Sequence, residues 1–350
     1  MIITKKETIM NNLKKVGLSA LAGSLAIVSA NATEYAVTGD SQVVWTSQEG
    51  NEADGVASNG KGVGMDTDLY FNASGELDNG WTMSFFQALD AEGTSNNSSA
   101  QGTLGMGSLG TLVFADVGGT GANAIDDILP FAYEETWDGT THSSEFHGFG
   151  SSTTSGSLDY RTPAFSVGDI AISATYAYDP NAGTAAPSAG ANGGTSQSGT
   201  AWTVKVSGMG LTIGGGHEDV DNASTTTGAT DLGRATGYVK YTNGPMTIAY
   251  QEMYTNAAAT GNGANSNPDT EGEGFGIVFA QDNYSFSYAE VQEQTRNISA
   301  TTSAEVEMSA LQATYTMGAM TIGMSMYETD NPENTTGKYE ETELSLSFAF

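Results

Sequence analysis

The stretch 117–153, "VGGTGANAIDDILPFAYEETWDGTTHSSEFHGFGSST", carries six carboxylates and neither lysine nor arginine: Asp126, Asp127, Glu134, Glu135, Asp138 and Glu145. Carboxylates gathered without counter-charge favour cations in the adjoining water. Such oxygen donors also suit Ca2+, for which Asp126, Asp127, Glu134 and Glu135 are the candidate ligands; no other cofactor is expected. His142, Glu145 and His147 lie close together in the same stretch, but zinc would need a further ligand and a fixed geometry. Hydrolytic chemistry needs a nucleophile beside a base. The chain has three histidines, two here and His217 far along, and no cysteine. No nucleophile assembles, and the sequence reads as non-enzymatic.

The stretch also holds Ile125, Ile128, Leu129, Phe131, Tyr133, Trp137, Phe146 and Phe149. A loop bathed in water needs none of these, whereas one packed against a wall does. The rest of the chain must supply the wall. Of its 350 residues 45 are Gly and 7 are Pro, charged residues make up 15%, and the mean hydropathy is -0.25. Strong helix formers are scarce, while Gly, Thr and Tyr suit strands and turns, so the fold class is all-β. Without cysteine there are no disulfide staples, and stability falls to hydrogen-bonded sheet. The net charge of -30 excludes nucleic acid as a partner, because phosphate needs a basic surface.

Residues 1–32 read as an export leader, with Met10 a plausible true start. Lys14 and Lys15 precede the apolar stretch from Val16 to Val28, and Ala30-Asn31-Ala32 offers a cleavage site. The mature domain is then 33–350. Cleavage removes four of the 11 basic residues and one of the 41 acidic ones, leaving seven against 40, near -33. The leader's apolar stretch is too short to span a bilayer, and no later segment has 18 consecutive apolar residues. An exported β protein of this kind is either soluble or an outer-membrane barrel.

Alternation decides between them. Ile170, Ile172, Ala174, Tyr176 and Tyr178 share one face, as do Met320, Ile322, Met324 and Met326, and Trp202, Val204 and Val206. The opposite faces are mostly small or polar residues such as Gly, Ser and Thr, with few charges such as Lys205, which suits a wet lumen with lipid outside. Tight turns are expected at 77–80, 107–110, 168–169, 208–210, 243–245, 281–283 and 317–320, where Gly, Asn and Asp gather. Long joints are expected near 48–61, 91–99, 117–153, 180–199, 219–232, 256–272, 294–303 and 330–337. Seven short and eight long joints make sixteen antiparallel strands. The last, "LSLSFAF", must zip onto the first near 34–47, because lipid tolerates no free edge. Short turns then face the periplasm and long loops the exterior. A barrel of this size encloses water.

At this point the chain resembles the sixteen-stranded general-diffusion porins of Gram-negative bacteria. Leu344, Leu346, Phe348 and Phe350 look like the family's assembly signal, read by the barrel-assembly machinery. "GSLGTLVFADVGG" (107–119) is similar to the segment leading into the family's long third loop, and "SLDYRTPAF" (157–165) to the strand after it. The resemblance implies that loop 117–153 folds inward, narrows the pore, and sets its acids against basic groups on the wall. The wall candidates are Asp66, Asp68, Asp159, Arg161, Lys205 and Lys240 by parity, and Arg234 near a strand end. The dense arginine cluster common in the family is missing. The expectation is a weakly to moderately cation-selective passive channel for ions and small hydrophilic solutes. It would be a homotrimer in the outer membrane, in contact with lipid and lipopolysaccharide. Alternatives are a substrate-specific porin and a structural or adhesive barrel.

Overall fold

A computed structural model describes residues 32–51, 59–90, 99–117, 125–126, 128–139, 144–150, 156–182, 197–221, 230–257, 268–297, 304–332 and 336–350. The expected leader, apart from Ala32, lies outside these residues, as do Asp127 and His142.

The first half of the described chain forms β1 (Ala32–Asn51), β2 (Gly60–Glu76), β3 (Thr82–Asp90), β4 (Ser99–Gly105), β5 (Thr111–Val117), β6 (Ser157–Arg161), β7 (Phe165–Val167) and β8 (Ile170–Ala182). The second half forms β9 (Gln197–Gly208), β10 (Leu211–Val220), β11 (Leu232–Asn243), β12 (Met246–Asn256), β13 (Pro268–Gln281), β14 (Tyr284–Asn297), β15 (Val306–Met317), β16 (Met320–Asp330) and β17 (Lys338–Ala349). Each pairs antiparallel with its neighbours. Both β6 and β7 pair with β8, so they are halves of one stave and the barrel has sixteen. The break falls at Pro163, which has no N–H for the ladder. Thr162 bridges it: its N–H donates to Ala174 O at 2.9 Å, and its Oγ1 accepts from Ala174 N at 2.9 Å.

The ring closes between β1 and β17, in register from Asp40 opposite Ala349 to Asn51 opposite Lys338. At the rim, Gly39 and Phe350 exchange two backbone hydrogen bonds of 2.8 Å each. The terminal phenylalanine is therefore a seam residue, as the alternation predicts. All seven tight turns fall where expected. Their backbone demands explain the sequence: Gly80, Gly110, Gly168, Gly210, Gly244 and Gly318 have φ between 57° and 93°.

The two faces separate as expected. Ile170, Ile172, Tyr176, Tyr178, Trp202, Val204, Phe275, Phe286, Met324, Met326, Leu344, Phe348 and Phe350 are exposed on the outer face. Over β12 to β17 the outward face then turns acidic toward the long-loop end, at Glu252, Glu273, Glu290, Glu328 and Glu340. Carboxylates are costly in hydrocarbon, so the apolar band ends beneath them.

Candidate functional site

Between β5 and β6, the described residues of 125–150 lie inside the barrel and pack against the inner face from β10 to β17. Ile125, Ile128, Leu129, Trp137, Phe146 and Phe149 form one buried cluster with Tyr238, Met253, Val291, Val306 and Met308 of the wall. These are the apolar residues that a water-bathed loop would not need.

The wall is shaped to receive them. On β13 the inward positions are Gly272, Gly274 and Gly276. A Cβ there would come within 2.6 Å of Phe146, 2.6 Å of Leu129 and 2.9 Å of Pro130, respectively. Gly216 makes room for Phe149, and Gly323 for Tyr133, in the same way. Side chains lost along one parity of β13 make a trough. The alternating "EGEGFG" at 271–276 was the available signal for it.

Polar side chains of the wall hold the loop's backbone. Gln251, fully buried on β12, donates through Nε2 to Ile125 O at 2.8 Å and accepts from Ile128 N at 3.3 Å. Gln312 on β15 accepts from Tyr133 N at 3.0 Å and donates to Glu134 O at 2.6 Å. Ser287 Oγ accepts from Ala132 N at 2.8 Å, and Ser144 Oγ donates to the buried Glu293. At the far end, Glu218 Oε2 accepts from Gly150 N at 3.0 Å and pairs with Arg234 at 3.1 Å. Inside a low-dielectric wall each such group must find a partner, and here the partner is the loop's own unpaired backbone. None of Gln251, Gln312, Ser287, Glu218 and Glu293 was singled out by sequence reasoning; their only mark is a polar residue at an inward position.

The expected loop acids have diverse positions. Asp126 is buried, and Asp138 is exposed with its Oδ2 accepting from Glu135 N at 2.9 Å. Glu134 Oε2 accepts from Tyr327 OH at 3.2 Å, and Glu343 of β17 lies beside it. Burial pushes the neighbouring Tyr133 phenol well above its usual range, and the Glu134 charge adds to this. Glu145 opens a short 3-10 turn, Glu145–Gly148; its side chain, like that of His147, lies outside the described residues. Among the described residues, the acids close enough to share an ion are Asp66, Asp68 and Asp90, and Asp219, Asp221 and Asp231; of the four candidate Ca2+ ligands, Asp127 lies outside the described residues.

The β1 to β3 wall is acidic. Gln42 points inward, since its Nε2 donates to Tyr133 OH at 2.6 Å. Asp66 sits opposite Gln42, Asp68 opposite Asp40, and Asp90 opposite Asp68. Paired residues share a face, so all four aspartates face the lumen. Oxygens of Asp66, Asp68 and Asp90 lie within 4.8 Å of one another.

The other expected wall residues lie elsewhere. Asp159 is buried on the inward face of β6, and Arg161 follows it two residues on. Lys205 of β9 and Lys240 of β11 line one cavity of about 320 Å³ beneath Ile125 and Ile128. Arg234 is near the long-loop end of β11, paired to Glu218. The loop therefore meets Lys205 and Lys240 with apolar side chains, while Glu134 meets tyrosine and another acid.

Comparison with known proteins agrees with this architecture. No curated protein matches the chain. Among solved structures, Salmonella typhi OmpF in complex with daunomycin is similar, with 12% identity, a TM-score of 0.66, and coverage of 92% of this chain and 99% of that one. An anion-selective porin from Comamonas acidovorans has 13% identity, a TM-score of 0.61, and coverage of 91% and 100%. The trimer form of Vibrio cholerae OmpT, an outer membrane protein, has 9% identity, a TM-score of 0.62, and coverage of 91% and 99%. At these identities the likeness speaks for the fold. The family described as Gram-negative porin matches residues 17–350. The chain belongs to the Gram-negative porin family, and its closed sixteen-stave barrel is an outer-membrane channel.

Proposed function

We propose that this channel is a general-diffusion pore for ions and small hydrophilic solutes, with a weak to moderate preference for cations, and that it is not an enzyme. The observation behind this reading is the acidic wall: Asp40, Asp66, Asp68 and Asp90 share the lumenal face of β1 to β3. Fixed charge at close quarters sets the sign of the ions a pore admits. The similar barrel from Comamonas acidovorans is anion-selective, so the shared architecture leaves that sign to the charges inside. Assembly as a homotrimer is supported by the trimer form of the Vibrio cholerae protein. Lipid and lipopolysaccharide are the expected surroundings of the apolar band. The outward Leu344, Leu346 and Phe348 of β17, with Phe350 just beyond it, would address the assembly machinery.

The test is conductance in a planar bilayer across a KCl gradient. Stepwise openings in threes with a cation-directed reversal potential support the proposal. A reversal potential directed toward chloride overturns it.

A further inference from the structure

Seven basic side chains lie in the described residues of the mature domain. In so acidic a protein each could find a carboxylate, and several do. Arg234 pairs with Glu218 at 3.1 Å, Arg296 with Glu271 at 2.7 Å, and Lys338 with Glu328 at 2.8 Å and Glu340 at 3.0 Å. Lys61 lies over the Trp45 ring at 5.9 Å. The remaining three, Arg161, Lys205 and Lys240, all face the lumen, and none has an acid within ion-pair distance among the described residues.

Lys205 and Lys240 share one cavity, and Arg161 lies on the same inward face two staves from Lys205. Arg161 sits opposite Thr175, Thr175 opposite Thr203, and Lys205 opposite Ser173. Lys240 sits opposite Thr212 across the β10/β11 ladder. Ser173, Thr175, Thr203 and Thr212 line the same cavity of about 320 Å³ as Lys205 and Lys240. The inward position of β10 opposite Lys205 is Gly214, whose place is taken by the Tyr238 ring, and the next inward side chain of β10 is Thr212 beside Lys240. The Nε of Arg161 is buried without a hydrogen-bond partner. Lys205 and Lys240 each stand three residues from the short-turn end of their strands, about 10 Å along the chain. This places the group in the periplasmic half of the lumen, roofed by Ile125 and Ile128 of the inserted loop.

We propose that Lys205 and Lys240, with the four hydroxyls between and beside them, form an oxyanion subsite under the inserted loop. It takes inorganic phosphate or the phosphate group of a small ester. Two ammonium groups that repel one another across a wet cavity are stabilised by an anion between them. Serine and threonine hydroxyls can each donate to an oxyanion with several acceptor oxygens, as a halide could not exploit. The cavity has room for roughly ten water volumes, enough for phosphate with part of its hydration or a short ester. An entering anion crosses an acidic region and then meets a basic one, so the subsite would select among the anions that do enter. The inference rests on the channel reading above.

The experiment uses the full barrel in planar bilayers at low KCl. Sodium phosphate is titrated on the short-turn side against sodium chloride of matched ionic strength. We expect a saturable fall in single-channel current with phosphate alone. Lys205→Gln/Lys240→Gln should weaken its apparent affinity at least tenfold, and Lys205→Arg/Lys240→Arg should retain it. Thr203→Val, which leaves both charges in place, should weaken it several-fold. Openings that respond identically to phosphate and chloride, or a phosphate effect that survives the double glutamine variant, overturn the subsite and leave the channel standing. Absence of openings in wild type overturns the channel reading itself.

Discussion

Gln312 clasps the inserted loop at Glu134: its Nε2 donates to Glu134 O at 2.6 Å while its Oε1 accepts from Tyr133 N at 3.0 Å. One wall amide thus satisfies both signs of backbone group in a segment that has no sheet partner of its own. Gln312→Leu keeps the bulk and removes these bonds. The cost is about 1 kcal/mol, from part-buried backbone groups that lose their partner. The barrel ladder is untouched, so folding should persist while the loop loosens. Single-channel recordings should show increased open-channel noise, and hydrogen exchange should rise at 132–134. Unchanged exchange there would show that the clasp does not hold the loop.

The β13 trough makes a steric prediction. A Cβ at Gly274 would come within 2.6 Å of Leu129 and 3.2 Å of Val291. Gly274→Val must therefore push the loop toward the pore axis, at about 1–3 kcal/mol of overpacking. Single-channel conductance should fall. Gly237→Ala on β11, two staves away, is the control, since nothing lies within 4 Å of a Cβ there. Equal conductance in both variants would mean that the glycines do not set the loop's position.

The acidic wall predicts its own removal. A unit charge about 4 Å from a passing ion contributes roughly 1 kcal/mol at the dielectric of water. The triple variant Asp66→Asn, Asp68→Asn, Asp90→Asn should lower the cation-to-anion permeability ratio several-fold. The effect should be greatest at about 0.01 M salt, where screening extends to about 30 Å, and should shrink toward 1 M. A reversal potential that stays at the wild-type value would assign selectivity to other groups.

The seam is open to test as well. Gly39 and Phe350 exchange two 2.8 Å backbone bonds, and a Cβ on Gly39 would approach Asp68 O to 2.6 Å and the Phe350 ring to 2.9 Å. Deleting Phe350, or substituting Gly39→Val, should slow or prevent barrel closure. Heat-modified gel mobility of the refolded protein reads this directly, and a normal folded band from both variants would count against the seam's importance.

The residues alone determined the barrel, because its rules are local. Alternation has a period of two wherever it occurs, so Ile170, Trp202, Phe286 and Met324 betray an outward face without reference to any partner. The tight turns need left-handed backbone, which Gly and Asn permit at a few consecutive positions. The C-terminal Phe350 could be placed at a closing edge because an even count of strands leaves only one way to remove the free ones. The apolar residues of 117–153 likewise announced a wall.

Which wall, and how the acids and bases would face one another, was settled only by the tertiary structure. Glu134 meets Tyr327 across 193 residues of sequence, and Tyr133 meets Gln42 across 91. No local spacing encodes such contacts; they depend on how far the strands stagger as the sheet curls shut. That stagger brought Asp40, Asp66, Asp68 and Asp90 to one side and Lys205 and Lys240 to another. It also set Glu134 beside Glu343 instead of a base. Charge counts are a property of the chain, but the distances between charges belong to the closed ring, and Coulomb energies depend on those distances.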